Sequence, residues 1–128
     1  MNKHVLYWLP AVVWALAIFL LSSMSYPANL PGASSRYGDK LGHWIEYSVL
    51  AWWCARAFAN AHRFPLAQAC LLALFVAALY GATDELHQHF VPDRTADVQD
   101  WLMDTLGAAA ATAAYYAYES YRRAKTNR

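Results

Sequence analysis

No aspartate, glutamate, lysine or arginine occurs between Lys3 and Arg36, and within that interval Val5 to Leu21 is an unbroken apolar run of 17 residues. That is about the shortest helix that crosses a bilayer core of roughly 30 Å. The chain is 128 residues long, with room for one domain. Only 15% of it is charged, against roughly 25% in a soluble domain. A nucleic-acid binder is excluded because there is no basic face or stripe. A disulfide scaffold is excluded because Cys54 and Cys70 each sit deep in an apolar run and read as small buried side chains. The remaining class is a small membrane protein.

Three more runs follow. Leu41 to Ala61 carries His43, Glu46 and Arg56 near its ends, and Leu66 to Thr83 has Gln68 as its strongly polar member. The last uncharged stretch, Thr105 to Tyr118, gives roughly 21 Å of helix, so the helix has to start near Trp101 and take in Asp104. The expectation is an all-α fold: one integral membrane bundle, residues 1–128, with transmembrane helices at about 5–22, 41–61, 66–84 and 98–119. A cleaved signal peptide is the rival reading of the first run, but its apolar core exceeds the 7–15 residues of such signals.

Lysine and arginine set the orientation. Lys3, Arg56, Arg63, Arg122, Arg123, Lys125 and Arg128 fall on one side of a four-span chain, and Arg36, Lys40 and Arg94 on the other. Both termini are therefore expected in the cytoplasm of a multi-pass protein, with Trp8, Tyr26, Trp101 and the Tyr115–Tyr121 group as interfacial anchors. Eight acids (Asp39, Glu46, Asp84, Glu85, Asp93, Asp97, Asp100 and Asp104) gather on the outer side.

Their spacing is helical. Asp39, His43 and Glu46 stand at i, i+4 and i+7, and Tyr80 and Asp84 share a face with His87 or Gln88. Arg94, Asp97, Asp100 and Asp104 would line one face of the last helix, ahead of the small-xxx-small pair Gly107 and Ala111. The bland reading of each set is a solvated helix end. The functional reading is a face turned into the bundle, because an ionisable group inside a span costs at least a few kcal/mol unless it is paired or wetted. So many carboxylates cannot all stay ionised at close quarters. They have to protonate, pair with Lys40 or Arg94, or share a cation. The histidines and carboxylates of Asp84–His89 lack the His-Glu-x-x-His spacing of zinc proteases. Proton exchange or headgroup hydrogen bonding is preferred there to a tightly held divalent cation.

Asp39-Lys40-x-x-His43 with Glu46-Tyr47, Tyr80-Gly81-x-x-Asp84-Glu85-x-x-Gln88-x-Phe90-x-Pro92-x-Arg94, and Asp97-x-x-Asp100 to Leu106-Gly107 resemble the VanZ-like membrane protein family over nearly the whole chain. Asp104 departs from the pattern, which more often has Asn. The resemblance implies a bacterial protein of the cytoplasmic (inner) membrane. The family's namesake is linked to low-level resistance to the glycopeptide teicoplanin. It also implies motif residues at Asp39, Lys40, His43, Glu46, Tyr80, Asp84, Glu85, Gln88, Arg94, Asp97 and Asp100.

The favoured reading is an outward acidic and histidine-bearing pocket that binds a lipid headgroup, a lipoglycopeptide or an envelope protein. The alternative is an intramembrane hydrolase or transferase acting on a lipid-linked envelope intermediate. In that case His43 or His87 is the acid or base, Glu46 or Asp84 orients it, and Arg94 and Lys40 hold an anionic group. The negative outer balance disfavours a bare phosphate unless a divalent cation mediates. A proton or cation pathway is disfavoured because the inner halves of the last two helices lack polar residues.

Overall fold

The computed structural model describes residues 2–25 and 36–126, and for 36–39 the backbone only. Tyr26 lies outside the described residues, as do the side chains of Arg36 and Asp39. Four helices account for nearly all of what is described: α1 (Lys3–Ser22), α2 (Arg36–Ala61), α3 (Leu66–Gln88) and α4 (Val98–Thr126). Among the described residues there is no strand. α2 starts earlier than the apolar pattern predicts, and α3 and α4 run on past it, because polar turns at a helix end extend the hydrogen-bond ladder without being apolar.

Local chemistry fixes the ends. The Asn2 side chain accepts the His4 amide at 3.0 Å and opens α1. Pro65, which cannot donate a backbone N–H, precedes α3. Asp97 caps α4, its Oδ1 accepting the Gln99 amide at 2.8 Å. Asp97 therefore precedes the last helix, and Arg94 lies in the connection before it. The single face expected for Arg94, Asp97, Asp100 and Asp104 is broken at the cap.

Small residues dominate the inside of the bundle, with Ile18, Tyr47, Leu50 and Tyr115 among them, and many large ones lie outside. Ala51, Ala55, Ala69, Ala73, Ala77 and Ala108 are fully buried, while Leu71, Phe75 and Leu86 are each more than 60% exposed. A water-soluble core has the reverse arrangement, since large apolar side chains gain most by leaving water. Small residues at helix contacts and large apolar ones outside match packing in lipid. By length and composition, α1 and α3 can each cross a membrane. All four helices were expected to do so. The structure supports two, because α2 and α4 carry ionisable side chains inside their apolar stretches.

The helices alternate in direction, so α2 and α4 run parallel and α3 runs antiparallel beside both. α4 packs on α2 and α3, and α1 leans mainly on α2. Two glycines set the close approaches. A Cβ at Gly107 would strike the Trp44 carbonyl of α2 and come within 2.9 Å of Ser48 Oγ. A Cβ at Gly81 would come within 2.8 Å of Asp104 Oδ2. Ser48 Oγ reaches both the Trp44 carbonyl at 2.7 Å and the Gly107 carbonyl at 3.0 Å, which ties the α2–α4 seam.

Candidate functional site

Because α2 and α4 are parallel, their polar residues pair in rising order. Lys40 Nζ meets Asp100 Oδ1 at 2.6 Å and Asp97 Oδ2 at 3.4 Å. One turn deeper, His43 Nδ1 lies 2.9 Å from Asp104 Oδ1. The Ser48–Gly107 contact closes the series. α3 joins from the opposite direction: Glu85 Oε2 accepts the Asp97 amide at 2.8 Å, and the Trp101 indole donates to the Ala78 carbonyl at 2.9 Å. The face of α2 turned to α4 thus carries Lys40, His43 and Ser48, a row beside the Asp39–His43–Glu46 set expected from spacing, while the Tyr47 ring lies 6.1 Å from that of Tyr80 on α3.

Burial increases inward. Lys40 keeps some contact with solvent, His43, Glu85 and Asp100 are buried, and Asp104 is 0% exposed. The hydrogen bond with Asp100 is the main cause holding the Lys40 ammonium above its ordinary range. One ligand atom from each of His43, Glu85 and Asp104 lies within 4.8 Å of the other two. Among the described residues, Glu85 Oε1 and Asp104 Oδ2 are buried without a hydrogen-bond partner. Each such group ordinarily costs about 1–3 kcal/mol. Orphaned oxygens of this kind mark a place where water, an ion or a ligand belongs.

The other expected residues distribute around this centre. Asp84 and Gln88 are buried one turn apart on α3, the Gln88 amide donating to Asp84 at 3.3 Å. Glu46 is half-buried, and its backbone carbonyl accepts the Trp14 indole at 2.8 Å. Three residues turn toward α1. The Tyr80 hydroxyl donates to the Ala15 carbonyl at 2.7 Å. Arg94 donates to the Leu21 and Met24 carbonyls, each at 3.3 Å, and His87 stacks near Phe19. Tyr80 and His87 thus turn to α1, while Gln88, the other residue expected on the Tyr80–Asp84 face, bonds to Asp84.

Two residues of interest were given no role by the sequence. Tyr47, beside Glu46 in the motif and fully buried, stands one turn past His43. Ser23 Oγ lies 2.9 Å from His87 Nε2 across 64 positions of sequence, and no local pattern announces that contact.

The opposite end is basic and aromatic. Arg56 covers the Tyr7 ring at 4.8 Å, and a cavity of about 390 Å³ opens there against Trp52, Asn60, Tyr115 and Arg122. Buried Glu119 receives Arg122 through two bonds, at 2.8 and 2.9 Å, and Arg123 through a third.

The sequence profile of VanZ/LLP1 matches residues 7–119, which include every residue of the cluster. No curated protein and no solved structure matches the chain.

Proposed function

Since this chain belongs to the VanZ/LLP1 family, we propose that it is a cell-envelope membrane protein whose polar cluster binds a donor-rich headgroup on an envelope lipid or lipid-linked intermediate. The supporting observation is that α2, α3 and α4 deliver His43, Glu85 and Asp104 to one buried spot with carboxylate oxygens left unsatisfied. Acceptors in excess call for donors: an ammonium, sugar hydroxyls or amides. A bare phosphate would face the carboxylates of Asp84, Glu85 and Asp104, while the Lys40 ammonium is already engaged by Asp97 and Asp100.

In this reading the chain is one domain that crosses the bilayer four times. α2 and α4 enter because their charges are paired (Lys40 with Asp100, His43 with Asp104) or lie at the ends, where long side chains reach the interface. Leu41, Ile45, Leu102 and Leu106 meet the lipid. Lysine and arginine put both termini in the cytoplasm of the bacterial inner membrane, with the cluster facing outward.

Native mass spectrometry of the full chain, released from vesicles of defined composition, tests the binding. Phosphatidylethanolamine, phosphatidylglycerol and a lipid-linked envelope precursor form the arms, with a soluble lipoglycopeptide as a further arm. Retention of an amine- or sugar-bearing lipid, lost in Asp84→Asn and Asp104→Asn, supports the reading. Equal retention of every lipid by all three proteins overturns it.

One contact favours a second reading as an enzyme. Ser23 and His87 place a hydroxyl and an imidazole within hydrogen-bond reach at the same end of the bundle. Turnover of a lipid-linked precursor that vanishes in Ser23→Ala would select it over binding alone.

A further inference from the structure

We infer that His43, Glu85 and Asp104 form a site for one divalent transition-metal ion of the Mn²⁺ or Zn²⁺ type, at the buried floor of the polar cluster. The site adds to the headgroup reading without depending on it, because it needs only these three side chains.

Geometry comes first. The candidate ligand atoms come from three different helices and all lie within 4.8 Å of one another. Ligands bound at about 2.0–2.2 Å stand roughly 3–4.4 Å apart around an ion, depending on whether they are neighbours or opposed. The present separations approach that spread, so an ion would enter by replacing the His43–Asp104 hydrogen bond, with side-chain adjustment alone.

The second observation is independent of the clustering. Among the described residues, Asp104 Oδ2 and Glu85 Oε1 are buried and unpartnered, Asp104 being 0% and Glu85 8% exposed. Lys40 is engaged by Asp97 and Asp100 nearer the surface, which leaves His43 as the basic group hydrogen-bonded to Asp104. A divalent charge there neutralises both carboxylates and takes one oxygen from each. Burial that makes an unpaired carboxylate costly makes the ion correspondingly favourable.

Ligand chemistry sets the class. An imidazole with two carboxylates suits Mn²⁺, Fe²⁺ or Zn²⁺, whereas Mg²⁺ and Ca²⁺ prefer all-oxygen shells. The spacing argument along α3 disfavours a metal because it considers one helix, while this set draws one ligand from each of three. With three protein ligands, positions remain on the ion for water or a donor from the headgroup.

The test uses the full chain in detergent, stripped with EDTA and free of added lipid, titrated with Mn²⁺ and followed by electron paramagnetic resonance. The expected result is one ion per chain, displaced by Zn²⁺ and not by excess Mg²⁺ or Ca²⁺, with a nitrogen coupling from an imidazole ligand. His43→Gln and Asp104→Asn should each weaken binding by more than roughly 100-fold, beyond the loss typical of outer partners. The nitrogen coupling in the unmutated protein decides the matter even where a variant misfolds. Absence of stoichiometric binding, absence of that coupling, or unchanged affinity in both variants overturns the inference. Lipid retention measured on the metal-free protein is read separately, so either idea can fail alone.

Discussion

His43 and Asp104 stand 61 positions apart in the chain, yet their side chains meet at 2.9 Å in the buried seam between two parallel helices. The contact joins α2 to α4 one turn below Lys40 and Asp100, and Gly81 of α3 stands directly against Asp104. Without an ion it is a hydrogen bond between buried ionisable groups, and removing one partner strands the other.

Replacing Asp104 with Ala should therefore destabilise the fold by about 3–5 kcal/mol, the range for breaking a buried charged pair. Asp104→Asn retains an acceptor for His43 and should cost less than half as much. A double-mutant cycle with His43→Gln, read by reversible unfolding in mixed micelles, should return a coupling of about 1–3 kcal/mol. A coupling indistinguishable from zero would refute the pairing.

The glycines give a graded series. Gly107→Ala places a methyl against the Trp44 backbone and Ser48, so α2 and α4 have to separate. A cost of about 3 kcal/mol or more is expected from overpacking that moves backbone. Gly81→Ala meets the Asp104 carboxylate, a side chain that can shift, so it should perturb the cluster more than the fold. Gly42 has open space around it, and Gly42→Ala should be neutral or stabilising by up to about 1 kcal/mol. Melting temperatures of the three variants in one detergent check this order, and any other ranking contradicts the packing described.

Lys40→Met leaves Asp100 buried without its cation and should cost about 1.5–3 kcal/mol, the value of a hydrogen bond between charged groups. The sign of its pH dependence follows from the raised Lys40 value. A group raised on folding gives its full stabilisation below its unfolded value of 10.5 and loses it as pH climbs through the higher folded value. The difference between the unmutated protein and Lys40→Met should stay flat from neutrality to about pH 10 and shrink beyond it. Chemical denaturation across that range measures it, and a difference that falls already near pH 7 would show that Lys40 is not the titrating partner.

Arg94 ties the connection before α4 to the end of α1 and the residues just after it, meeting the Leu21 and Met24 carbonyls through two nitrogens. Lysine cannot reproduce that fork. Arg94→Lys should raise amide exchange at residues 21–25 and 89–97 while leaving the α2–α4 seam protected. Hydrogen exchange with mass readout decides this, and unchanged protection in both segments would contradict the tether.

Reporter fusions test the topology. A periplasmic phosphatase fused after Arg128 should be inactive, and one fused after Arg94 active. The reverse pattern would invert the orientation and turn the cluster toward the cytoplasm.

Much of this was legible in the chain. The four apolar runs gave four helices, because backbone polar groups in apolar surroundings are satisfied within a helix. Gly107 in a small-residue stretch forecast a close helix contact, and Trp44 and Ser48 make it. Lys40, His43, Asp100 and Asp104 could be nominated from charge inside or beside a span. The helical spacing of Asp39, His43 and Glu46 pointed one row away from the face that meets α4. Periodicity fixes the angles between residues of one helix but not the rotation of that helix against its neighbours.

The covalent order of side chains alone decided that this chain is helical, that its ionisable residues gather at the helix ends, and that its family is recognisable. Those properties depend on local geometry and composition. Which residues touch was decided only when the four helices packed. The parallel pairing of α2 with α4, the turn of His87 toward Ser23, the reach of Arg94 to α1 and the orphaned oxygens of Glu85 and Asp104 each depend on helix rotation. That rotation is set by where Gly81 and Gly107 let backbones approach, a balance of volumes drawn from all the helices at once.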